Sequence, residues 1–258
     1  MTTEALGRLV QPAETKIVLY VFDGLGGLPN SRGRTELEDA DTKYLDRMAE
    51  QGSLGQLIPI ARGVTPGPAT AFLALLGYDP LTTSLDEGAP IEPFEERWQL
   101  KAAVISASET HIALARRAGL EAIEAGDEPA NLVEAMAERW ADFDCLIVHY
   151  RPQLPKGASK RFAAKRLAIA TFDMAVPAIV KLKPDVLIVT GDRSSPAMEG
   201  TDTWHPVPLL MTGRQALPDE THYFSELGCA RGVLGTVRSC DVMPIALAHG
   251  GRLAPFGP

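Results

Sequence analysis

Cysteine is scarce in this sequence, and what there is lies scattered. Three of the 258 residues are cysteines, at Cys145, Cys229 and Cys240, far apart and without a CxxC pair. That excludes a disulfide framework and the usual zinc-ligand spacing, and an odd number of thiols suits a reducing compartment. Long apolar stretches are missing from the first fifteen residues (MTTEALGRLVQPAET), so neither a signal peptide nor a membrane anchor is expected. Internal repeats and low-complexity tracts are also absent. Positive charge is in the minority: the formal net charge of −8 argues against nucleic acid or an anionic membrane as a general partner. These absences together lead to the expectation of a cytoplasmic protein.

What is present is an ordinary globular balance, with 45% hydrophobic and 22% charged residues, enough to bury a core without a structural staple. Six apolar runs read as strands: KIVLYVFD (16–23), GQLIPI (55–60), AAVISA (102–107), DCLIVHY (144–150), DVLIVTGD (185–192) and VPLLMTG (207–213). They are apolar throughout, the pattern of parallel strands covered on both faces. Between them lie helical segments at 42–51, 69–76, 108–118, 132–140 and 159–182, and another at 241–248 closes the chain. Pro177 predicts a kink or a break in the longest. Strands alternating with helices predict an α/β fold, a three-layer α/β/α sandwich around a mostly parallel sheet. Only 81–99 (LTTSLDEGAPIEPFEERWQ), acidic and without periodicity, reads as a surface connection.

Ligands of open parallel sheets bind at the carboxyl ends of strands. Two such ends carry acids, Asp23 and Asp192, a spacing that fits metal binding or acid–base chemistry as well as simple capping. GLGG (24–27) lacks the spacing of a dinucleotide loop. The basic group Lys156, Lys160, Arg161, Lys165 and Arg166 reads as a solvated helix face. Thr65, Thr70, Ser194 and Ser195 have no histidine beside them in sequence and read as turn hydroxyls. The five histidines show no ligand spacing, and His149, inside a strand, reads as a core residue.

The order of several motifs resembles the cofactor-independent, archaeal-type phosphoglycerate mutases of the alkaline phosphatase superfamily. Those motifs are VFDGLGGLPN (21–30), TKYLDRMAEQGSLGQL (42–57), GVTPGPATAFLALLGYDP (63–80), VTGDRSSP (189–196) and HPVPLLMTG (205–213). The resemblance implies an alkaline phosphatase-like core, two divalent metals and a serine nucleophile. Position by position, it also implies losses. Pro68 stands at the nucleophile, Leu154 and Ala158 at two ligands, Arg193 at the histidine after Asp192, Asp202 at a later histidine and Cys240 at a further one. Only 81–100 stands where the family carries an inserted substrate domain, so 1–258 is expected to be one domain.

From these losses follows the expectation of a protein without phosphoryl-transfer activity and without a cofactor, kept for binding, regulation or assembly with a protein partner or a small anionic ligand. Its residual site would be Asp23, Asp192, Arg193 and Arg151, with Arg193 as the resident cation of the two acids. The alternative is a hydrolase of a small phosphate ester that holds one magnesium or manganese ion on Asp23, Asp192, Asp202 and His205, with water as the nucleophile.

Overall fold

Each of the six apolar runs forms a strand in the computed structural model, which describes residues 6–84, 88–218 and 220–257. In chain order the strands are β1 (Ile17–Phe22), β2 (Ser53–Ile58), β3 (Ala102–Ser106), β4 (Glu121–Glu124), β5 (Cys145–Tyr150), β6 (Val186–Gly191), β7 (Val207–Gly213) and β8 (Gly235–Arg238). They make one sheet in the order β4-β3-β5-β1-β6-β7-β2-β8. Only β7 runs against its neighbours; the other pairings are parallel. The helices are α1 (Lys43–Ala49), α2 (Pro68–Leu75), α3 (Phe94–Trp98), α4 (Glu109–Arg117), α5 (Pro129–Glu138), α6 (Ala158–Lys181), α7 (Glu226–Ala230) and α8 (Val242–His249). The expected α/β architecture with a mostly parallel sheet is borne out.

Every residue of β1 is buried, and each such aliphatic or aromatic side chain contributes about 1.5–3 kcal/mol relative to exposure. Alternation along the strand sends neighbours to opposite faces. Tyr20 stacks on Phe172 of α6 at 3.7 Å between ring centroids, and Phe22 meets the same ring edge-on. His149, level with Val21 in the register, points the other way and packs edge-on against Phe72 of α2. One face of the sheet is therefore covered by α6, with α1 and α5 beside it, and the other by α2 and α4.

Some expectations need correction. Strands β4 and β8 escape a search for apolar runs because both lie on sheet edges, have four residues each and are partly exposed. Helix α6 continues through Pro177, which gives up one backbone hydrogen bond without ending the helix. The connection at 81–99, of which 85–87 lie outside the described residues, is more than a surface loop. It contains α3, whose Phe94 and Trp98 are buried, and the Trp98 indole N–H donates to the Leu76 carbonyl at 3.0 Å. Among the described residues, no helix is long and apolar enough to cross a membrane.

Candidate metal centre

Parallel register brings the site together. Phe22 is level with Tyr150 on one side and Gly191 on the other, so Asp23, Arg151 and Asp192 leave three adjacent strands side by side. Two crossed loops fix their aim. The Gly24 N–H donates to Asp192 Oδ1 at 2.8 Å, Ser195 N–H donates to the Gly26 carbonyl at 3.0 Å, and Leu25 and Gly26 bridge to Ser194. Gly24 has φ 72°, and a Cβ on Gly26 would land on the Ser194 hydroxyl. The glycines of GLGG thus serve close loop packing at a left-handed turn.

Sequence reasoning missed two members of the site. His149, one residue before the end of β5, and His111, in the first turn of α4, stack at 3.7 Å between ring centroids. Their Nε2 atoms both lie 4.0 Å from Asp23 Oδ2, and that of His149 lies 3.9 Å from Asp192 Oδ2. Asp23, His111, His149 and Asp192 are all buried and offer ligand atoms within 4.8 Å of one another. No sequence spacing signals this, because β3–α4 and β5 meet β1 only through the strand order. The usable signal was His149 just short of a strand end.

The donors fit a metal ion. Asp23 Oδ2, His111 Nε2 and His149 Nε2 are buried and have no hydrogen-bond partner in the protein, which is costly for polar atoms unless something binds there. Two imidazoles with two carboxylates suit manganese or zinc better than magnesium, a hard ion that prefers oxygen alone. Burial, then the neighbouring His149, pushes His111 down to about 2, so its imidazole is neutral, as a ligand must be. Its Nδ1 lies 2.9 Å from Ser108 Oγ.

Arg193 sits against the same acids. Its guanidinium donates to Asp192 Oδ2 at 2.5 Å, Asp23 Oδ1 at 2.7 Å and Asp202 Oδ2 at 2.9 Å. Burial alone would raise the Asp192 carboxyl, but Arg193 holds it well below the usual carboxylate range. Asp23 is raised by burial and by Asp192, against the pull of His149 and Arg193. Arg193 stays protonated: burial opposes its charge, but Asp192, Asp23 and Asp202 outweigh it. Arg151, half exposed, places Nε 3.8 Å from Asp23 Oδ2 and donates to Ser108 Oγ at 3.4 Å. Of the four ligands expected for a single ion, Asp23 and Asp192 are in the cluster. Asp202 is turned to Arg193, and His205 lies elsewhere, stacked on Trp204 with Nδ1 3.1 Å from Thr203 Oγ1.

A family model described as the metalloenzyme superfamily matches residues 15–249. The chain belongs to the metalloenzyme superfamily. Similar to this chain is a probable 2,3-bisphosphoglycerate-independent phosphoglycerate mutase of Thermotoga neapolitana, 27% identical and aligned over 98% of both chains. That alignment runs over 394 positions against 258 residues here, so the relative carries residues that this chain lacks. Among solved structures, PH0037 of Pyrococcus horikoshii superposes with a TM-score of 0.87 at 24% identity, covering 96% of this chain and all of its own. The cofactor-independent phosphoglycerate mutase of Thermoplasma acidophilum gives 0.73 at 17% identity, covering 92% and 100%. The fold is alkaline phosphatase-like, matching the phosphatase of the Antarctic bacterium TAB5 at a TM-score of 0.57 and 10% identity over 94% of this chain and 100% of that one.

The expectation of an inactive protein without a cofactor is overturned. It rested on ligands counted as lost along the sequence, whereas the fold assembles a buried Asp/His cluster from His111 and His149, which were not counted. Membership of the metalloenzyme superfamily and the phosphoglycerate mutase relatives point the same way.

Proposed function

We propose that this metalloenzyme hydrolyses a small phosphate ester with one divalent ion, manganese or zinc, held by Asp23, His111, His149 and Asp192. The observation that carries this reading is the convergence of three buried, unpaired atoms, Asp23 Oδ2, His111 Nε2 and His149 Nε2. An ion bound there supplies Lewis-acid neutralisation of phosphoryl charge and makes water more acidic. Phosphate as the substrate class is supported by the phosphoglycerate mutases among the relatives and by Arg151 at the rim, whose guanidinium fits phosphate oxygens. The 81–100 connection, with its short helix, stands where we infer that the relatives carry their additional residues, so a small substrate reaches a single-domain enzyme from solvent. The three buried cysteines, none of them in a disulfide, suit a reducing compartment.

Hydrolysis is favoured over transfer through a side chain by the Ser108–His111 contact. If His111 presents Nε2 to the ion, its proton sits on Nδ1 and is donated to Ser108 Oγ. Ser108 then accepts from His111 and Arg151, keeps its own proton and orients the ring rather than attacking. Pro68, at the head of α2, carries no hydroxyl. Water remains as the nucleophile. Metal-stripped protein reloaded with manganese or zinc and assayed on a panel of phosphate monoesters tests this. Turnover should require the ion, and His149→Ala should lose both ion and turnover. A protein with one bound ion and no turnover on any monoester would overturn the reading.

A further inference from the structure

The acids of this site divide their oxygens between two positions. Asp23 gives Oδ1 to the Arg193 guanidinium and leaves Oδ2 facing the two imidazoles. Asp192 gives Oδ1 to the Gly24 N–H, while Oδ2 receives Arg193 and lies 3.9 Å from His149 Nε2. Asp202 is bound to the guanidinium through Arg193 Nε. Three carboxylates therefore surround one buried guanidinium, and a separate set of unpaired donors lies next to it.

We propose that Arg193 is a built-in second cation, so that the centre works with one divalent ion beside one guanidinium and excludes a second ion. Charge balance supports this. Three carboxylates and Arg193 leave two negative charges, or one when the half-exposed Arg151 beside Asp23 is counted, so one divalent ion suffices and a second would leave the site strongly positive. A second divalent ion would have to displace a side chain that is 6% exposed and donates to all three acids. A guanidinium suits such a post: it is always charged and its planar fork meets two carboxylates at once. It can also donate to a phosphoryl oxygen without dissociating.

The inference rests on the proposed ion site, and the test keeps the two apart. Manganese alone is titrated into metal-stripped protein, counted by calorimetry and followed by electron paramagnetic resonance. Wild type should bind one equivalent with the six-line spectrum of an isolated ion. Arg193→Gln should bind two, with a spin-coupled spectrum, because three acids then lose the buried cation they share. The double variant Arg193→Gln, Asp202→Asn should return to one. Two equivalents in wild type, a count that needs no variant to fold, would overturn the inference, as would one in folded Arg193→Gln. No ion in wild type would instead sink the proposed metal enzyme, and the inference with it.

Discussion

Two buried clusters of charge share the same pair of loops, 23–27 and 192–197, and differ in what their polar atoms touch. Above the loops, at the strand ends, the metal centre keeps four buried side-chain atoms unpaired, Asp23 Oδ2, His111 Nε2 and both ring nitrogens of His149. Below them, Lys165 is fully buried and donates to the carbonyls of Gly26 at 2.9 Å and Ser195 at 3.0 Å, one from each loop. Glu36 lies 3.7 Å from its ammonium and accepts the Ala197 N–H at 2.6 Å. Glu226 accepts from the Gly27 N–H at 3.1 Å and from the Thr35 hydroxyl at 2.6 Å. The lower cluster spends its hydrogen bonds within the protein except at Glu36 Oε2, which faces only the Lys165 ammonium; the upper one holds several in reserve. A buried polar group that is satisfied serves architecture, and one left unpaired marks where a ligand arrives.

The largest test of this contrast lies in the lower cluster. Lys165→Met removes one partner of a buried pair and leaves Glu36 uncompensated, which should destabilise the fold by about 3–5 kcal/mol in urea unfolding. Restoring neutrality with Glu36→Gln in the same chain should recover much of that loss. A Lys165→Met protein as stable as wild type would erase the distinction between the clusters.

Glu226 gives a pH-dependent test of the same region. Burial, the dominant cause, pushes its carboxyl up to about 7 from an ordinary value of 4.5. Between those values the folded protein holds a proton that the unfolded chain has released, so this group's contribution to stability falls as pH rises from about 4.5 to about 7. It is flat above. The span corresponds to roughly 3 kcal/mol. Glu226→Gln should flatten that part of the stability profile and raise stability at pH 8 relative to wild type. An unchanged slope between pH 5 and 7 would show that Glu226 is charged throughout.

The same contrast explains what could be read in advance. Strand ends were legible: β1 and β6 are continuous apolar runs, and each delivers an acid, Asp23 or Asp192, at its carboxyl end. The histidines were not, because their meeting depends on β5 pairing with β1, on β3 pairing with β5 and on α4 turning back over the sheet. Lys165 was misread for a related reason. It belongs to a run of basic residues whose other members are at least partly exposed, and only the α6 face packed under the two loops buries it. Nor could composition place Arg193 among three acids, although its position after Asp192 made the pairing a reasonable expectation.

At the rim of the upper cluster the expected effect is smaller and falls on substrate rather than on fold. Arg151→Ala removes a half-exposed guanidinium, so unfolding should shift by less than about 0.5 kcal/mol. With a phosphate monoester, kcat/KM should fall about tenfold, equivalent to ~1.4 kcal/mol, mostly through KM. An equal fall in kcat at constant KM would place Arg151 in the chemical step instead.

A small effect on the stability of the ion-free protein is also expected at His149. Both of its ring nitrogens are buried without a hydrogen-bond partner in the protein, so each gives up its contact with water for nothing in the ion-free fold. Its ring is held by packing, against His111 and Phe72, and a phenyl ring of similar shape would keep those contacts. His149→Phe should therefore leave the ion-free protein within about 1 kcal/mol of wild type, or slightly more stable. With manganese the two should part. An ion at a hundred times its Kd stabilises wild type by about 2.7 kcal/mol, and the variant, with a donor removed, should gain far less. Thermal unfolding in chelator and then in manganese measures both halves. If His149→Phe costs several kcal/mol in chelator and responds to manganese as wild type does, the imidazole belongs to the architecture after all, and the division between the two clusters fails.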